Sequence, residues 1–260
     1  MDNNNNNNNN DNDNNQYKIY ILSYNNPRRM AEMQERFDKL GVDCTFNPGV
    51  TFADPRIANR ENNDKRLWSC TYGHLDMLHD FYYNTTVKYG IFCEDDIYVH
   101  KDFKVLMPSV IKDFENLKLD TLQLGYLTRF KIEWWCNNGE WNFKTQPDFV
   151  QQMDKSYFYH IYPDGHWGAQ MYMLSRHMVK HILDKYTGDY ADRTLTDSTL
   201  PTFSPDWILT KQCPNTRALI SPPLAIEDGK TDLAYHRGDW GQYIFHMESH
   251  KLFYDPNIFV

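Results

Sequence analysis

The chain has 260 residues, with 35 acidic against 27 basic side chains and a formal net charge of −8. An acidic balance excludes a protein whose main partner is nucleic acid, because phosphate binding needs a basic field. Hydrophobic residues at 41% and aromatics at 15% provide ample material for a buried core.

Residues 1–16 stand apart: Asn3 to Asn10 are all Asn, and Asn12, Asn14 and Asn15 follow. Such a tract has no apolar side chain after Met1 to offset the entropy of ordering, so it is expected to be a disordered tail ahead of one domain over 17–260. Tyr17 to Leu22 is a β-rich run that ends in the turn formers Ser23, Asn25, Asn26 and Pro27. Met30, Met33, Phe37 and Leu40 then recur at helical spacing, with Gly41 placed to terminate the helix, and Val42 to Phe46 can form a second strand. Residues 47–67 read as a loop, and a helix is expected from about Ser69 to Tyr83.

Tyr89 to Cys93 is an apolar strand that stops abruptly at Glu94-Asp95-Asp96. A helix over Phe103 to Leu117 follows, with Pro108 expected to kink or restart it. Thr121 to Leu124 reads as a strand, and 126–165 as an irregular segment rich in aromatics. Ala169 to Leu174 is a strand, Val179 to Tyr186 marks a helix, another helix starts at Pro205, and Ala218 to Ile220 is a last strand before Pro222-Pro223. Strands alternating with helices predict an α/β fold with a mainly parallel central sheet flanked by helices.

No stretch approaches the roughly 18–20 apolar residues of a membrane span, and no charged-then-apolar leader precedes Tyr17. The five cysteines are odd in number and contain no Cys-x-x-Cys pair, which suits reduced structural thiols. The expectation is a soluble cytoplasmic protein without a signal peptide or transmembrane segment.

Ligands of open α/β sheets bind outside the carboxyl ends of the strands, where Glu94-Asp95-Asp96 is placed. Extended geometry sends alternate side chains to opposite faces, so Glu94 and Asp96 can point one way and Asp95 the other. Carboxylates held together repel unless neutralised, and a hard divalent cation with oxygen ligands does this while holding substrate phosphates. A solvated acidic turn is the plainer alternative.

The order of landmarks resembles the GT-A fold glycosyltransferases of family 25, the lipooligosaccharide and collagen galactosyltransferase group. The opening strand, polar turn and Arg-Arg pair are similar to Ile19–Tyr24 with Arg28 and Arg29. The family's Cys-x-x-Ser-His helix is similar to Cys70-Thr71-Tyr72-Gly73-His74, with Gly73 in place of Ser. Its apolar strand, Glu-Asp-Asp and Asp-Phe are similar to Ile91 to Asp96 with Asp102-Phe103. Its Gly-x-x-x-Tyr-x-x-Ser run is similar to Gly168 to Ser175, and a later Asp and Pro-Pro resemble Asp206 and Pro222-Pro223. Residues 126–165 and 187–204 match no landmark.

This resemblance implies a Rossmann-like GT-A domain that moves a hexose from a UDP-sugar to a glycan, glycolipid or glycoprotein hydroxyl, with inversion. A Mn2+ or Mg2+ ion would stabilise the departing diphosphate. Asp96 is then the first candidate for a metal ligand, with Glu94 or Asp95 holding the ribose, a metal-bound water or the ion. His236 is the candidate late ligand, with His246 and His250 as rivals. Arg28, Arg29 and His74 become candidate donor contacts, although His74 could equally cap its helix. Asp206 is the candidate base for the acceptor hydroxyl, with Asp164 and His166 as alternatives. Trp134, Trp135, Trp141 and Trp167 offer flat faces for sugar stacking. Two other readings stand beside this one: a glycan-binding relative without catalysis, and a glycoside hydrolase using paired carboxylates such as Glu94 and Asp206.

Overall fold

The computed structural model describes residues 16–60, 62–132, 157–230, 233–234 and 236–260. Residues 1–15 of the Asn-rich segment and most of the 126–165 segment, including Trp134, Trp135 and Trp141, lie outside the described residues.

The described chain is α/β. It runs β1 (Tyr17–Leu22), α1 (Pro27–Leu40), β2 (Cys44–Asn47), α2 (Asn62–Asn84), β3 (Tyr89–Glu94), β4 (Ile97–Val99), α3 (Phe103–Asn116) and β5 (Thr121–Leu127). After the undescribed segment come β6 (Phe158–His160), β7 (Trp167–Ser175), α4 (Arg176–Tyr186), α5 (Tyr190–Arg193), a π-helical turn (Asp206–Thr210), β8 (Arg217–Ser221), β9 (Ala225–Glu227) and α6 (Trp240–Phe253).

The strand order is β2-β1-β3-β7-β5-β8-β6, with β4 and β9 attached beside it. Strands β2, β1, β3, β5 and β8 share one direction, while β7 and β6 run against them. The sheet is therefore mostly parallel, with β7 reversed between β3 and β5.

Side-chain alternation along each strand builds the two larger of three buried clusters. Ile19, Ile21, Ile91, Cys93 and Met173 face α1 and α3, where Phe37, Phe103, Val110 and Phe114 cover them. Tyr20, Leu22, Phe92, Tyr172 and Leu174 face α2 and α4, where Leu78, Phe81, Val179 and Ile182 cover them. With both faces covered, the central strands are buried along almost their whole length.

Three expectations need correction. Helix α2 starts at Asn62 and not near Ser69, so Cys70 and His74 lie inside the helix rather than at its start. Helix α3 continues through Pro108 from Phe103 to Asn116. The helix expected at Pro205 is a five-residue π-helical turn from Asp206 to Thr210. Gly73, where the family pattern has Ser, lies where α2 crosses β1: a Cβ there would come within 2.6 Å of Leu22 Cδ1. Among the described residues, no helix is long and apolar enough to cross a membrane.

Candidate functional site

The carboxyl ends of β1, β3 and β5 and the amino end of the reversed β7 meet at one edge of the sheet. A cavity of about 1060 Å³ opens there. Its wall includes Glu94, Asp95 and Asp96 together with Asp206, Trp167 and His246.

The acidic residues do not alternate as an extended strand would require. Strand β3 ends at Glu94, and Asp95 and Asp96 form a bend before β4, so all three residues reach the same cavity. Asp95 Oδ2 accepts a hydrogen bond from Ser23 at 2.5 Å, and its Oδ1 pairs with Arg29 Nη1 at 3.1 Å. The same guanidinium nitrogen lies 3.2 Å from Asp96 Oδ2. Arg29 therefore neutralises part of the cluster directly. Asp96 Oδ1 is buried and has no hydrogen-bond partner among the described residues. Burial pushes the Asp96 carboxyl well above its ordinary range, Glu94 and Glu227 add to the rise, and Arg29 opposes it.

Arg28 and Arg29 separate. Pro27 occupies the first turn of α1, where Asn26 Oδ1 accepts the Arg29 backbone N–H, and this geometry aims Arg29 at the acidic cluster. Arg28 points to solvent beside Glu32 and is not on the cavity wall. Arg66 and Arg237 do line the cavity. Neither arginine belongs to a sequence motif that would single it out.

His74, expected as a donor contact, does not line the cavity. It is fully buried behind the cavity wall, with Nδ1 2.8 Å from the Tyr172 hydroxyl and Nε2 3.6 Å from Glu94 Oε1. Cys70 Sγ lies 3.6 Å from the same Glu94 oxygen. Burial raises the Glu94 carboxyl, but His74, Cys70 and the more distant His246 outweigh it and leave Glu94 below its ordinary range.

The expected metal set of Glu94, Asp96 and His236 is not assembled. Among the described residues, the three-ligand cluster that forms is Cys70, His74 and Glu94. His246, and not His236 or His250, lines the cavity. Its Nδ1 is 2.6 Å from Glu227 Oε2, and its ring centroid is 4.5 Å from that of His236. Glu227 ends β9, whose next residue donates its N–H (Asp228 to Asp96 O, 2.7 Å), so the β9 end abuts the acidic bend. Glu227 belongs to none of the sequence motifs above. A usable signal was present, since Leu224-Ala225-Ile226 followed by acids repeats the pattern of Ile91 to Glu94.

Asp206 is placed on the cavity, with Oδ1 accepting the Gly168 N–H at 2.8 Å. Burial raises its carboxyl above the ordinary range, and the Gly168 N–H offsets only part of that rise. The two alternative bases fall away from the cavity. Asp164 is exposed and bonds Arg217 at 2.6 Å. His166 is buried against Tyr126 and Tyr162, and burial lowers its pKa to about 3. Trp167 is 42% exposed on the cavity wall, and Lys211 Nζ lies 4.0 Å from the ring centroids of both Trp167 and Trp207.

No family model matches the chain, and no curated protein matches it. Among solved structures, A197 from STIV is similar, with a TM-score of 0.41 and 11% identity over 78% of this chain and 81% of that one. A likeness of that strength does not bear on function.

Proposed function

We propose that the chain is a metal-dependent glycosyltransferase of the family 25, GT-A type. It would move a hexose from a UDP-sugar to a glycan, lipid or protein hydroxyl with inversion. The observation that carries this reading is the presence of Asp96 and Asp206 on one cavity at the carboxyl ends of the strands. One has a buried, unpartnered oxygen and the other has a raised carboxyl.

A hard divalent cation fits the free oxygen of Asp96, with Glu227 and His246 beside it, and when bound it supplies neutralising charge at a departing diphosphate. Arg29 holds Asp95 and Asp96 in place. Arg66 and Arg237 add positive charge to the cavity beside the acidic residues that Arg29 only partly neutralises. Asp206, anchored through one oxygen, takes the acceptor hydroxyl proton through the other, and its raised pKa favours that role. Trp167 offers a flat face to an acceptor sugar.

The test is calorimetric titration with UDP in the presence and absence of Mn2+, combined with a screen of UDP-sugars for slow hydrolysis. The expected result is Mn2+-dependent UDP binding that Asp96→Ala abolishes, and hydrolysis that Asp206→Asn abolishes. Undetectable UDP binding at millimolar ligand, or an Asp96→Ala protein that behaves as wild type, would overturn the reading. Full activity on a preformed glycoside in EDTA would instead favour hydrolysis by Glu94 and Asp206, whose charges already influence each other across the cavity.

A further inference from the structure

We infer that Cys70, His74 and Glu94 form a second metal site, suited to a zinc-type ion, with an open coordination position toward the cavity. Cys70 and His74 are four residues apart on α2 and so share one helix face, against which β3 delivers Glu94. Their ligand atoms all lie within 4.8 Å of one another.

The Cys70 thiol can donate to Glu94 Oε1 at 3.6 Å, so it is the His74 nitrogen that points to a metal. His74 Nε2 faces Glu94 Oε1 at 3.6 Å, beyond the range of an N–H···O bond, and this nitrogen of a fully buried side chain makes no hydrogen bond among the described residues. In a tetrahedral zinc centre, bond lengths of about 2.0–2.3 Å put neighbouring ligand atoms roughly 3.3–3.6 Å apart. The nitrogen–oxygen separation and the sulfur–oxygen separation, each 3.6 Å, therefore already suit a shared ion.

The surroundings agree. The Tyr172 hydroxyl, 2.8 Å from His74 Nδ1, is the outer contact that orients a metal-binding imidazole through its other nitrogen. One sulfur, one imidazole and one carboxylate make a donor set that selects zinc over Mg2+ or Mn2+, which distinguishes it from the oxygen site at Asp96. Cys70 and Glu94 line the cavity while His74 lies behind them, so the vacant side of a three-ligand centre faces the cavity. The inference rests on these side chains and not on the transfer reaction, and a protein that binds no UDP would leave it standing.

The test is a Co2+ titration of the chelator-treated full chain, followed by absorption. We expect one equivalent of the bound Co2+ to give a thiolate-to-cobalt charge-transfer band and tetrahedral d–d bands, and Zn2+ to displace it. Cys70→Ser should remove the charge-transfer band, and Glu94→Gln should keep it while weakening affinity by about tenfold or more. Asp96→Asn, which removes the oxygen site, should keep the charge-transfer band, and circular dichroism reports whether each variant folds. Absence of the band in wild type, its persistence in Cys70→Ser, or its loss in a folded Asp96→Asn protein would overturn the site.

Discussion

Asp206 Oδ1 accepts the backbone N–H of Gly168 at 2.8 Å, a bond that ties the candidate base to the amino end of β7. Gly168 has φ +131°, and a Cβ there would come within 2.7 Å of Tyr126 Cα and 2.9 Å of the Leu127 nitrogen. Those are backbone atoms of β5, so they cannot rotate away. Gly168→Ala should lose about 1–3 kcal/mol through backbone strain alone, read as a lower urea midpoint, and should misplace Asp206. An unchanged midpoint would show that the β5–β7 contact yields more easily than the geometry implies.

Asp96 is expected to reduce stability at neutral pH. Its carboxyl is raised in the folded state by burial first and then by Glu94 and Glu227. A raised acid contributes its full stability below the unfolded value of 3.8 and loses it as pH rises toward the folded value. Asp96→Asn should therefore be more stable than wild type at neutral pH by about 0.5–2 kcal/mol, with the gain vanishing in acid. Arg29 keeps Asp95 as a partner in that variant. Urea unfolding of both proteins across pH checks this, and an equal gain at every pH would contradict it.

How much of this was legible in the sequence differs by element. Strands β1 and β3 were readable because they are apolar on both faces, and the acids after Cys93 marked the site because they interrupt such a run. The start of α2 was hidden because Asn62 to Arg66 carry no apolar stripe. The reversal of β7 was hidden because periodicity carries no strand direction, and that reversal is what brings Gly168 to Asp206. Arg29 could not be separated from Arg28, since the choice depends on the cap at Asn26. The grouping of Cys70, His74 and Glu94 depends on the packing of α2 against β3, which neither segment encodes alone.

His166 should make the fold acid-sensitive. Burial, with Lys211 and Arg217 adding, lowers its pKa from 6.5 to about 3. The folded state therefore binds the neutral ring, and stability is lost as pH falls below the unfolded value toward the folded one. Between neutral pH and about pH 5 that loss amounts to about 2 kcal/mol for this group. The raised carboxyls of Asp95, Asp96 and Asp206 take up protons on acidification more readily folded than unfolded and so oppose it. The comparison is thus wild type against His166→Gln: the variant should lose less stability on acidification, and identical pH profiles would remove His166 from the account.

His246 is expected to matter more than His236 for cation binding. Its Nδ1 is committed to Glu227 Oε2 at 2.6 Å, which leaves Nε2 as the atom available to a ligand, and its side chain is on the cavity wall. A carboxylate behind an imidazole fixes the ring and raises its basicity, so loss of either partner weakens metal affinity by about 10–100-fold where such a pair serves a metal. His236 packs against His246 with the rings tilted by 53° and does not line the cavity, so its effect on the cation should be indirect. The expected order of loss in Mn2+-dependent UDP binding is His246→Ala first, Glu227→Gln next and His236→Ala least. Isothermal titration of the three variants measures it. Equal losses for the two histidines would place the late ligand at His236 after all, and no loss for His246→Ala would leave Asp96 to hold the cation without imidazole help.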